Sequence, residues 1–398
     1  MNCSLQNIFS GIKHYKNVIN RDFILPLTRD LLKFHTRWNE RSLKPYTDEL
    51  FDLWAENGVD GLLDTQLQGP TLTRFGIIPD DRRSADRIIG LLPTYKAIFN
   101  KSDIQVYRAE GHIYIDVPWQ TDQVYLGDIL TDSEFERSQG IPVAIGMDIY
   151  RQPYFADLSI TPHLLVAGYG HTAFLHGVIL SLLLSHAPEE IELYLCGQRR
   201  SDFSRYGEIP YCQISSDPAE ELDLLEDLNV EVDRRYAALY ESRCRTIYDF
   251  NRRAGLMKHL VVIIEEYSNL AALGKRKAAS LLERLSEMAA DCGIHVIAAS
   301  EKSVYFRPVR DSFPARVCLR TDAVADSYVM IDRKGAEKLG KKGMLYYVDG
   351  SSQTPYLLQS GIVTTKEIRG VVSAIMENFQ DPETKPKGPS IWEKLFAR

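Results

Sequence analysis

A glycine turn between an apolar strand and an apolar helix stands out in the segment PHLLVAGYGHTAFLHGVILSLLL, residues 162–184. A strand, a glycine turn and a helix in this order bind phosphates when the turn reads G-x-x-x-x-G-K-[ST], because backbone amides and the lysine contact the phosphate oxygens. Here the turn reads GYGHTAF and contains no lysine. The segment therefore has the outline of a phosphate-binding loop but lacks its cation.

The turn still offers candidate ligands for a nucleotide. The backbone amides of Gly168 and Gly170 could meet a phosphate at the start of the helix. His171 is the nearest cation candidate, since no lysine occurs in residues 102–257, and its ordinary pKa of about 6.5 predicts a mostly neutral imidazole. Thr172 could serve as a Mg²⁺ ligand, although it follows Gly168 more closely than that role requires.

Two adjacent carboxylates follow a second apolar strand, HLVVIIEE, at residues 259–266. Carboxylates at the end of such a strand hold Mg²⁺ and activate water in phosphoryl-transfer sites. Glu265 and Glu266 are therefore the candidate catalytic residues. A purely structural role, as two carboxylates at a solvent-facing strand end, is equally compatible with the pattern.

Two clusters of cations could contact DNA. One is the sequence GKRK at the predicted start of a helix, and the other lies in the loop after the strand GIHVIAAS. Such cations give salt-dependent contacts to phosphates that do not read the base sequence. A solvated helix start is the alternative interpretation of GKRK. The candidate DNA contacts are Lys275, Arg276, Lys277, Lys302, Arg307 and Arg310.

Composition describes a globular chain of 398 residues with a net charge of −7, so no overall basic character points to nucleic acid. Its six cysteines are scattered without C-x-x-C spacing, so we predict no zinc site and name no metal-ligating residue. No stretch approaches the roughly 18 apolar residues of a membrane span, and the N-terminus lacks the layout of a signal peptide. We therefore expect a cytoplasmic protein without a membrane span.

Four regions differ in their residue patterns. Residues 1–64 carry apolar residues at helical spacing and predict a helical segment. Residues 65–158 predict a small α+β domain with a hairpin at the sequence AEGH. Residues 159–376 alternate strands and helices, and their continuous apolar strands predict an α/β fold with a mostly parallel sheet covered by helices on both faces. Residues 377–398 predict a linker and a short tail.

Several stretches of the chain carry a family resemblance. GPTLTRFGIIP, IYIDVP, GMDIYRQPYFADLSITPHLLVAG, LVVIIEEYSNL, LLERLSEMAADCGIHVIAAS, FPARVCLR and DSYVMIDRKGAEKLGKKGMLYY follow in this order. Together they resemble the motor part of the FtsK/SpoIIIE family of DNA translocases, from about residue 65 to about residue 375. The resemblance implies a RecA-like P-loop NTPase core after a small α+β module, hexameric rings that pump double-stranded DNA, and ATP with Mg²⁺ as cofactors.

The sequence departs from the family pattern at the residues that handle nucleotide. The family's G-x-x-G-S-G-K-S loop is shorter here and lacks its lysine, which is a degenerate Walker A motif. The family's Asp-Glu pair is Glu265-Glu266, a degenerate Walker B motif, and its γ-phosphate-sensing glutamine is Glu301. By the same resemblance, Arg245 and Arg316 match family arginines and are candidate contacts between subunits.

These departures define three hypotheses of function. The first is a catalytically impaired subunit, a pseudo-ATPase, that binds double-stranded DNA or a partner translocase. Its ring would contain further copies of itself or an active FtsK-like subunit, for example in mobile-element, DNA-transfer or cell-envelope machinery. The second is an active ATP-dependent DNA translocase with a divergent phosphate loop. The third is a protein-interaction scaffold that has lost both nucleotide and DNA.

Overall fold

The structure of the chain is a computed structural model. The structure describes residues 30–380 apart from positions 37, 39–41, 119–122, 139, 198–202, 341 and 353. The first 29 residues of the predicted helical segment and residues 381–398 of the predicted tail lie outside the described part.

A small α+β unit precedes the main sheet. Its four strands form an antiparallel sheet in the order β1-β2-β4-β3, which the helices cover with a core that includes Leu50, Trp54, Phe75 and Ile88. Its elements are helix α1 (Lys44–Glu56), strands β1 (Gly61–Gln68) and β2 (Thr73–Pro79), helices α2 (Arg82–Gly90) and α3 (Leu92–Ile98), and strands β3 (Gln105–Ala109) and β4 (His112–Val117).

The hairpin predicted at AEGH is confirmed between β3 and β4. Glu110 and Gly111 have φ values of +51° and +81°, the left-handed conformation that a two-residue hairpin turn needs at both positions. The predicted end of the helical segment at residue 64 is corrected. Residues 61–64 belong to strand β1, and helix α1 packs in the same core as strand β2, so both are part of the small α+β unit. β1 is an edge strand whose side chains are largely exposed, so its sequence lacks a strong apolar alternation.

The large unit is built on a ten-stranded sheet. Between residues 124 and 196 it contains α4 (Leu126–Leu130), α5 (Ser133–Arg137), β5 (Pro142–Met147), β6 (Pro153–Asp157), β7 (His163–Ala167), α6 (His171–Ser185) and β8 (Ile191–Cys196). Next come β9 (Cys212–Ser215), α7 (Pro218–Glu241), α8 (Ile247–Arg253), β10 (His259–Ile264), α9 (Tyr267–Gly274), α10 (Arg276–Met288) and β11 (Ile294–Ser300). The last elements are β12 (Ala315–Leu319), α11 (Val324–Ile331), β13 (Met344–Val348), β14 (Tyr356–Gln359) and α12 (Thr365–Gln380).

The sheet has the order β6-β5-β14-β13-β12-β7-β11-β10-β8-β9. The six strands from β12 to β9 are parallel, and the four from β6 to β13 are antiparallel. One apolar cluster joins one face of the sheet to α6 and α12, and a second joins the other face to α7, α9 and α10. The predicted α/β class, with a mostly parallel sheet between two layers of helices, is therefore confirmed.

The predicted boundary between the units at residue 158 is also corrected. Strands β5 and β6 belong to the large sheet, because Met147 of β5 pairs with Gln359 of β14. Helices α4 and α5 pack in the same core. This partner strand lies about 200 residues further along the chain, so the local pattern of β5 gives no sign of it. At the other end, α12 continues to Gln380, beyond the predicted start of the linker at 377.

Three buried histidines lie side by side at the amino ends of the parallel strands. The Nδ1 of His295 is 3.2 Å from the carbonyl oxygen of Pro162, which can only accept, so Nδ1 carries the proton. The Nε2 of His295 then accepts from Nδ1 of His259 at 3.0 Å. His163 accepts the Val296 N–H at its own Nδ1, 3.1 Å away. These hydrogen bonds form only while the rings are neutral, and the Nε2 of His163 has no partner within the described residues.

We predict that this cluster makes the fold sensitive to acid. Burial, with the neighbouring imidazoles, lowers the pKa of His163 to about 3, of His259 to about 2 and of His295 to about 4. The unfolded chain binds protons on these rings below about pH 6.5 and the folded chain does not, so stability is complete above pH 6.5 and falls below it. Urea unfolding at pH 8, 6.5 and 5 should show a slope of up to about 1.4 kcal/mol per pH unit for each ring.

His259→Leu should reduce that slope, while His112→Gln should not, because His112 is exposed and its pKa is raised by the Glu110 carbonyl. A free energy of unfolding that stays constant from pH 8 to pH 5 would contradict the prediction.

Candidate functional site

The turn between β7 and α6 contains only Gly168, Tyr169 and Gly170. The Gly168 N–H donates to the carbonyl of Ser300 at 3.2 Å, and the Tyr169 N–H donates to the carbonyl of Arg320 at 2.8 Å. Two of the three turn amides are therefore bonded to the ends of the neighbouring strands β11 and β12. They do not point toward a space that a phosphate could enter.

The two glycines of the turn are needed for different reasons. Gly168 has a φ of +104°, and a Cβ there would lie 2.6 Å from the Arg320 oxygen and 2.8 Å from the Leu319 oxygen. Gly170 has a φ of +88° and caps α6, but a Cβ there would meet nothing closer than a Leu319 methyl group at 4.0 Å. Close packing and a positive φ both require a glycine at position 168, whereas at position 170 only the positive φ favours one.

The first two side chains of α6 turn toward the protein. His171 is buried and its Nδ1 donates to the Gly168 carbonyl at 3.0 Å, while its Nε2 lies 3.9 Å from a carboxylate oxygen of Glu266. The Thr172 hydroxyl donates to Glu265 Oε1 at 2.8 Å. The structure thus brings together the predicted turn residues and the predicted acidic pair at one site, the carboxyl end of β7 and β10.

Both glutamates are held by hydrogen bonds. Glu265 is buried, with 4 % of its surface exposed. Glu266 accepts from the Ser300 hydroxyl, from the Glu301 N–H at 3.0 Å and from the Ser268 N–H at 3.3 Å, and so caps α9. Its orientation is fixed by two neighbouring elements, which suits either an ordered catalytic base or a structural cap.

The surroundings of the site are acidic. Burial raises the pKa of Glu221 to about 7, and the charges of Asp217 and Glu265 raise it further. One oxygen of Glu221 is buried and has no hydrogen-bond partner among the described residues. The sequence from 152 to 198 contains no lysine or arginine, so the turn and its helix supply no permanent positive charge.

Sequence reasoning missed three further parts of this site. Tyr169, in the middle of the turn, donates its hydroxyl to Asp322 across the end of β12. Ser300 is the last residue of β11 and contacts both the turn and Glu266. Glu221 reaches the site from α7. Only Ser300 had a sequence signal, since it ends a predicted strand next to the turn.

The candidate DNA contacts lie on two segments that follow neighbouring strands. Lys275 and Arg276 are exposed at the junction of α9 and α10, whereas Lys277 is also exposed but pairs with Glu226 of α7. Lys302 and Arg307 are exposed in the segment after β11. α9 packs on this segment through stacking of Tyr267 on Phe306, with ring centroids 5.5 Å apart.

Three predicted arginines have different environments. Arg310 forms ion pairs with Asp332 and, at 3.3 Å, with Asp311. Arg316, a candidate for contact between subunits, is buried in its own chain and donates to the carbonyls of Met330 and Phe313. That candidate role is therefore corrected to a structural one. Arg245 is exposed after α7, as a contact with another subunit would require.

Comparison with known proteins identifies the family. The model of the FtsK/SpoIIIE family matches residues 125–337, more than half of the chain. The chain belongs to the FtsK/SpoIIIE family. The match begins within the segment that the structure assigns to the large sheet unit rather than to the small one.

The chain is similar to named DNA translocases. It is 26 % identical over 392 residues to the DNA translocase FtsK of Helicobacter pylori (strain J99 / ATCC 700824), covering 93 % of this chain and 46 % of that protein. It is 28 % identical over 352 residues to the DNA translocase SftA of Bacillus subtilis (strain 168), covering 82 % and 37 % respectively. The chain thus spans less than half the length of these relatives.

Two solved structures show the same fold. The pCW3 conjugation coupling protein TcpA, in its monomer form with ATPγS, has a TM-score of 0.57 at 16 % identity over 83 % of this chain and 97 % of that one. The cytoplasmic domain of the type VII secretion ATPase EccC of Thermomonospora curvata has a TM-score of 0.55 at 22 % identity over 64 % and 33 %. The predicted RecA-like P-loop core is confirmed.

Two features are absent from the described residues. None of their helices combines the length and the apolar character needed to cross a bilayer. Nor do three or more His, Cys, Asp or Glu side chains converge there in an arrangement that could hold a metal ion.

We predict that the two turn glycines differ in their tolerance of a methyl group. Gly168→Ala should lower the free energy of unfolding by about 3 kcal/mol, because positive φ and a backbone clash act together. Gly170→Ala, the matched control, should cost only about 1–2 kcal/mol from its positive φ. Urea unfolding of both variants measures the difference. Equal losses would show that the turn is less tightly packed than the structure indicates.

Proposed function

We infer that this chain is a subunit of the FtsK/SpoIIIE type that does not hydrolyse ATP and acts by binding duplex DNA or a partner translocase. The observation that carries this proposal is the three-residue turn at 168–170, whose first two amides are bonded to adjacent strands. A loop that holds a triphosphate needs free amides and a cation. This turn contains no cation, and two of its three amides are already bonded.

The charge of the site supports the same conclusion. Glu266 lies beside the helix start, Glu265 contacts Thr172, and Glu301 is exposed where the family has a neutral glutamine. Two like unit charges 4 Å apart repel by about 4 kcal/mol at an effective dielectric constant of 20. Without a lysine, each carboxylate near a bound γ-phosphate would therefore oppose nucleotide binding. The residues present do not fit Mg-ATP, so we derive no hydrolytic step.

One contact favours the second candidate, an active translocase. The hydroxyl of Thr172 and the carboxylate of Glu265 are 2.8 Å apart, so a divalent cation could recruit both oxygens. Glu266 is also well ordered by Ser300 and Glu301. This candidate needs a phosphate contact that the turn does not provide, and for that reason it ranks second.

A role in contacting DNA is supported by the exposed cations and by the names of the relatives, which are called DNA translocases. Lys275, Arg276, Lys302 and Arg307 are exposed and form no ion pair within the described residues. Lys277 and Arg310 are already paired with carboxylates, and they should contribute less. The scaffold hypothesis predicts instead that none of these cations affects binding to DNA.

The first test is nucleotide binding and hydrolysis. Calorimetry with Mg-ATPγS should detect no heat of binding, because the turn offers no cation and two of its three amides are already bonded. TcpA, whose structure holds ATPγS, is the positive control. With Mg-ATP and linear duplex DNA, phosphate release should equal that of Glu266→Gln. A rate on the order of 1 s⁻¹ that is lost in Glu266→Gln would overturn the proposal in favour of an active translocase.

The second test separates the DNA-binding subunit from the scaffold. Lys275→Glu with Arg276→Glu should weaken binding to a duplex by about tenfold at 50 mM salt and by less at 200 mM, because phosphate contacts are screened by salt. Lys366→Glu with Arg369→Glu is the matched control, since both are exposed on α12, which packs on the opposite face of the sheet. Electrophoretic mobility shifts measure both. Equal affinity of the wild type and the first variant would favour the scaffold.

A further inference from the structure

A cleft of about 390 Å³ opens on the surface of the large unit. It lies between the segment that follows β11 and helix α11, which pack against each other. Val329 is buried in this cleft, while Arg307 and Tyr328 are exposed at it. The lining residues are Arg307, Arg310, Asp311, Ala325, Tyr328 and Val329.

The cleft has more guanidinium groups than carboxylates to match them. Arg310 and Arg316 share the single carboxylate of Asp332, with the Arg316 Nη2 3.1 Å from Oδ2. Arg307 has no ion pair within the described residues, and Asp311 is almost fully exposed to solvent. Burial lowers the pKa of Arg316, and the charge of Arg310 lowers it further, as expected where positive charge is in excess.

One hydrogen-bond donor in the cleft is left without an acceptor. The Nε of Arg310 is buried and has no partner among the described residues, although its terminal nitrogens pair with carboxylates. A buried donor without an acceptor costs about 1–3 kcal/mol, more when the group is charged. Because this Nε is buried and the outer nitrogens of Arg310 are already paired, an anionic ligand would first contact Arg307, which is exposed and has no ion pair within the described residues. The charge of the cleft therefore indicates an acidic ligand.

The apolar character of the cleft indicates a protein rather than DNA. Tyr328 is 52 % exposed, and Val304, Tyr305 and Val324 are exposed on the same two packed elements. Tyrosine and arginine around an apolar pocket are typical of protein interfaces. DNA phosphates are contacted by cations and hydrogen-bond donors, and the apolar side chains of the cleft offer them no such contact. A ligand with a carboxylate next to an apolar side chain would contact both the arginines and the apolar residues of the cleft.

We propose that this cleft binds an acidic peptide segment of a partner protein, with a carboxylate at Arg307 and Arg310 and an adjacent apolar side chain on Tyr328 and Val329. The proposal deepens the proposed function, since it rests on the chain acting through a partner and names the chemistry of that contact. It does not depend on whether nucleotide binds.

The test uses two fluorescein-labelled peptides measured by fluorescence anisotropy without nucleotide. The acidic probe peptide carries Glu-Leu-Glu-Tyr between Gly-Ser flanks, and the neutral control peptide carries Gln-Leu-Gln-Tyr between the same flanks. We expect the protein to bind the probe peptide at least about tenfold more tightly than the control peptide, because a paired and partly desolvated carboxylate dominates the contact. Arg307→Ala and Tyr328→Ala should each lower the affinity for the probe peptide about tenfold.

Arg369→Ala is the control, since it removes an exposed arginine on α12, which packs on the opposite face of the sheet, and should leave peptide binding unchanged. Thermal unfolding of each variant confirms that the fold is retained. Equal binding of the two peptides, or equal losses in Arg369→Ala and Arg307→Ala, would overturn the proposal. Displacement of the probe by duplex DNA, with DNA binding lost in Arg307→Ala, would assign the cleft to DNA instead. Neither result bears on ATP hydrolysis, so the proposed peptide site and the proposed lack of hydrolysis can be rejected independently of each other.

Discussion

Two backbone hydrogen bonds, from Gly168 to Ser300 and from Tyr169 to Arg320, determine the shape of the site. They draw the turn after β7 against the ends of β11 and β12 so closely that a single methyl group at Gly168 would meet two carbonyl oxygens. The helix α6 must then begin at once, and its first side chain, His171, bonds back to the turn. The backbone of this turn cannot form a wide phosphate loop while it makes this close contact with the ends of β11 and β12.

The acidic side chains follow from that geometry. The first amides of a helix carry partial positive charge and lack intrahelical acceptors, so an anion nearby is favourable. In this chain the anions belong to the protein, because Glu265 accepts from Thr172 and Glu266 lies beside His171. The carboxylates thus supply the negative charge that a phosphate supplies elsewhere. This arrangement agrees with the proposal of a subunit that does not hydrolyse ATP.

Local sequence patterns predicted the parallel strands and the two layers of helices, because each depends on residues adjacent along the chain. The turn and the acidic pair are distant in sequence, and their meeting follows because parallel strands end at the same edge of the sheet. They failed where a partner is distant. β5 joins the large sheet through Gln359, and Arg316 is buried against Met330, so neither placement has a local signal. Glu221 reaches the site only because α7 packs beside β10, and its raised pKa depends on that burial.

Charge is divided between two surfaces of the large unit. Carboxylates surround the turn at 168–170, whereas guanidinium groups outnumber carboxylates at the cleft beside α11. Each arrangement costs energy in an isolated chain, since like charges are held together. At the turn, the helix start and the hydrogen bonds to Glu266 offset that cost within the chain. At the cleft, Asp311 and Asp332 pair with Arg310, whereas Arg307 has no ion pair within the described residues. The carboxylate of the proposed peptide would pair with Arg307, and for that reason we place the proposed partner contact at the cleft rather than at the turn.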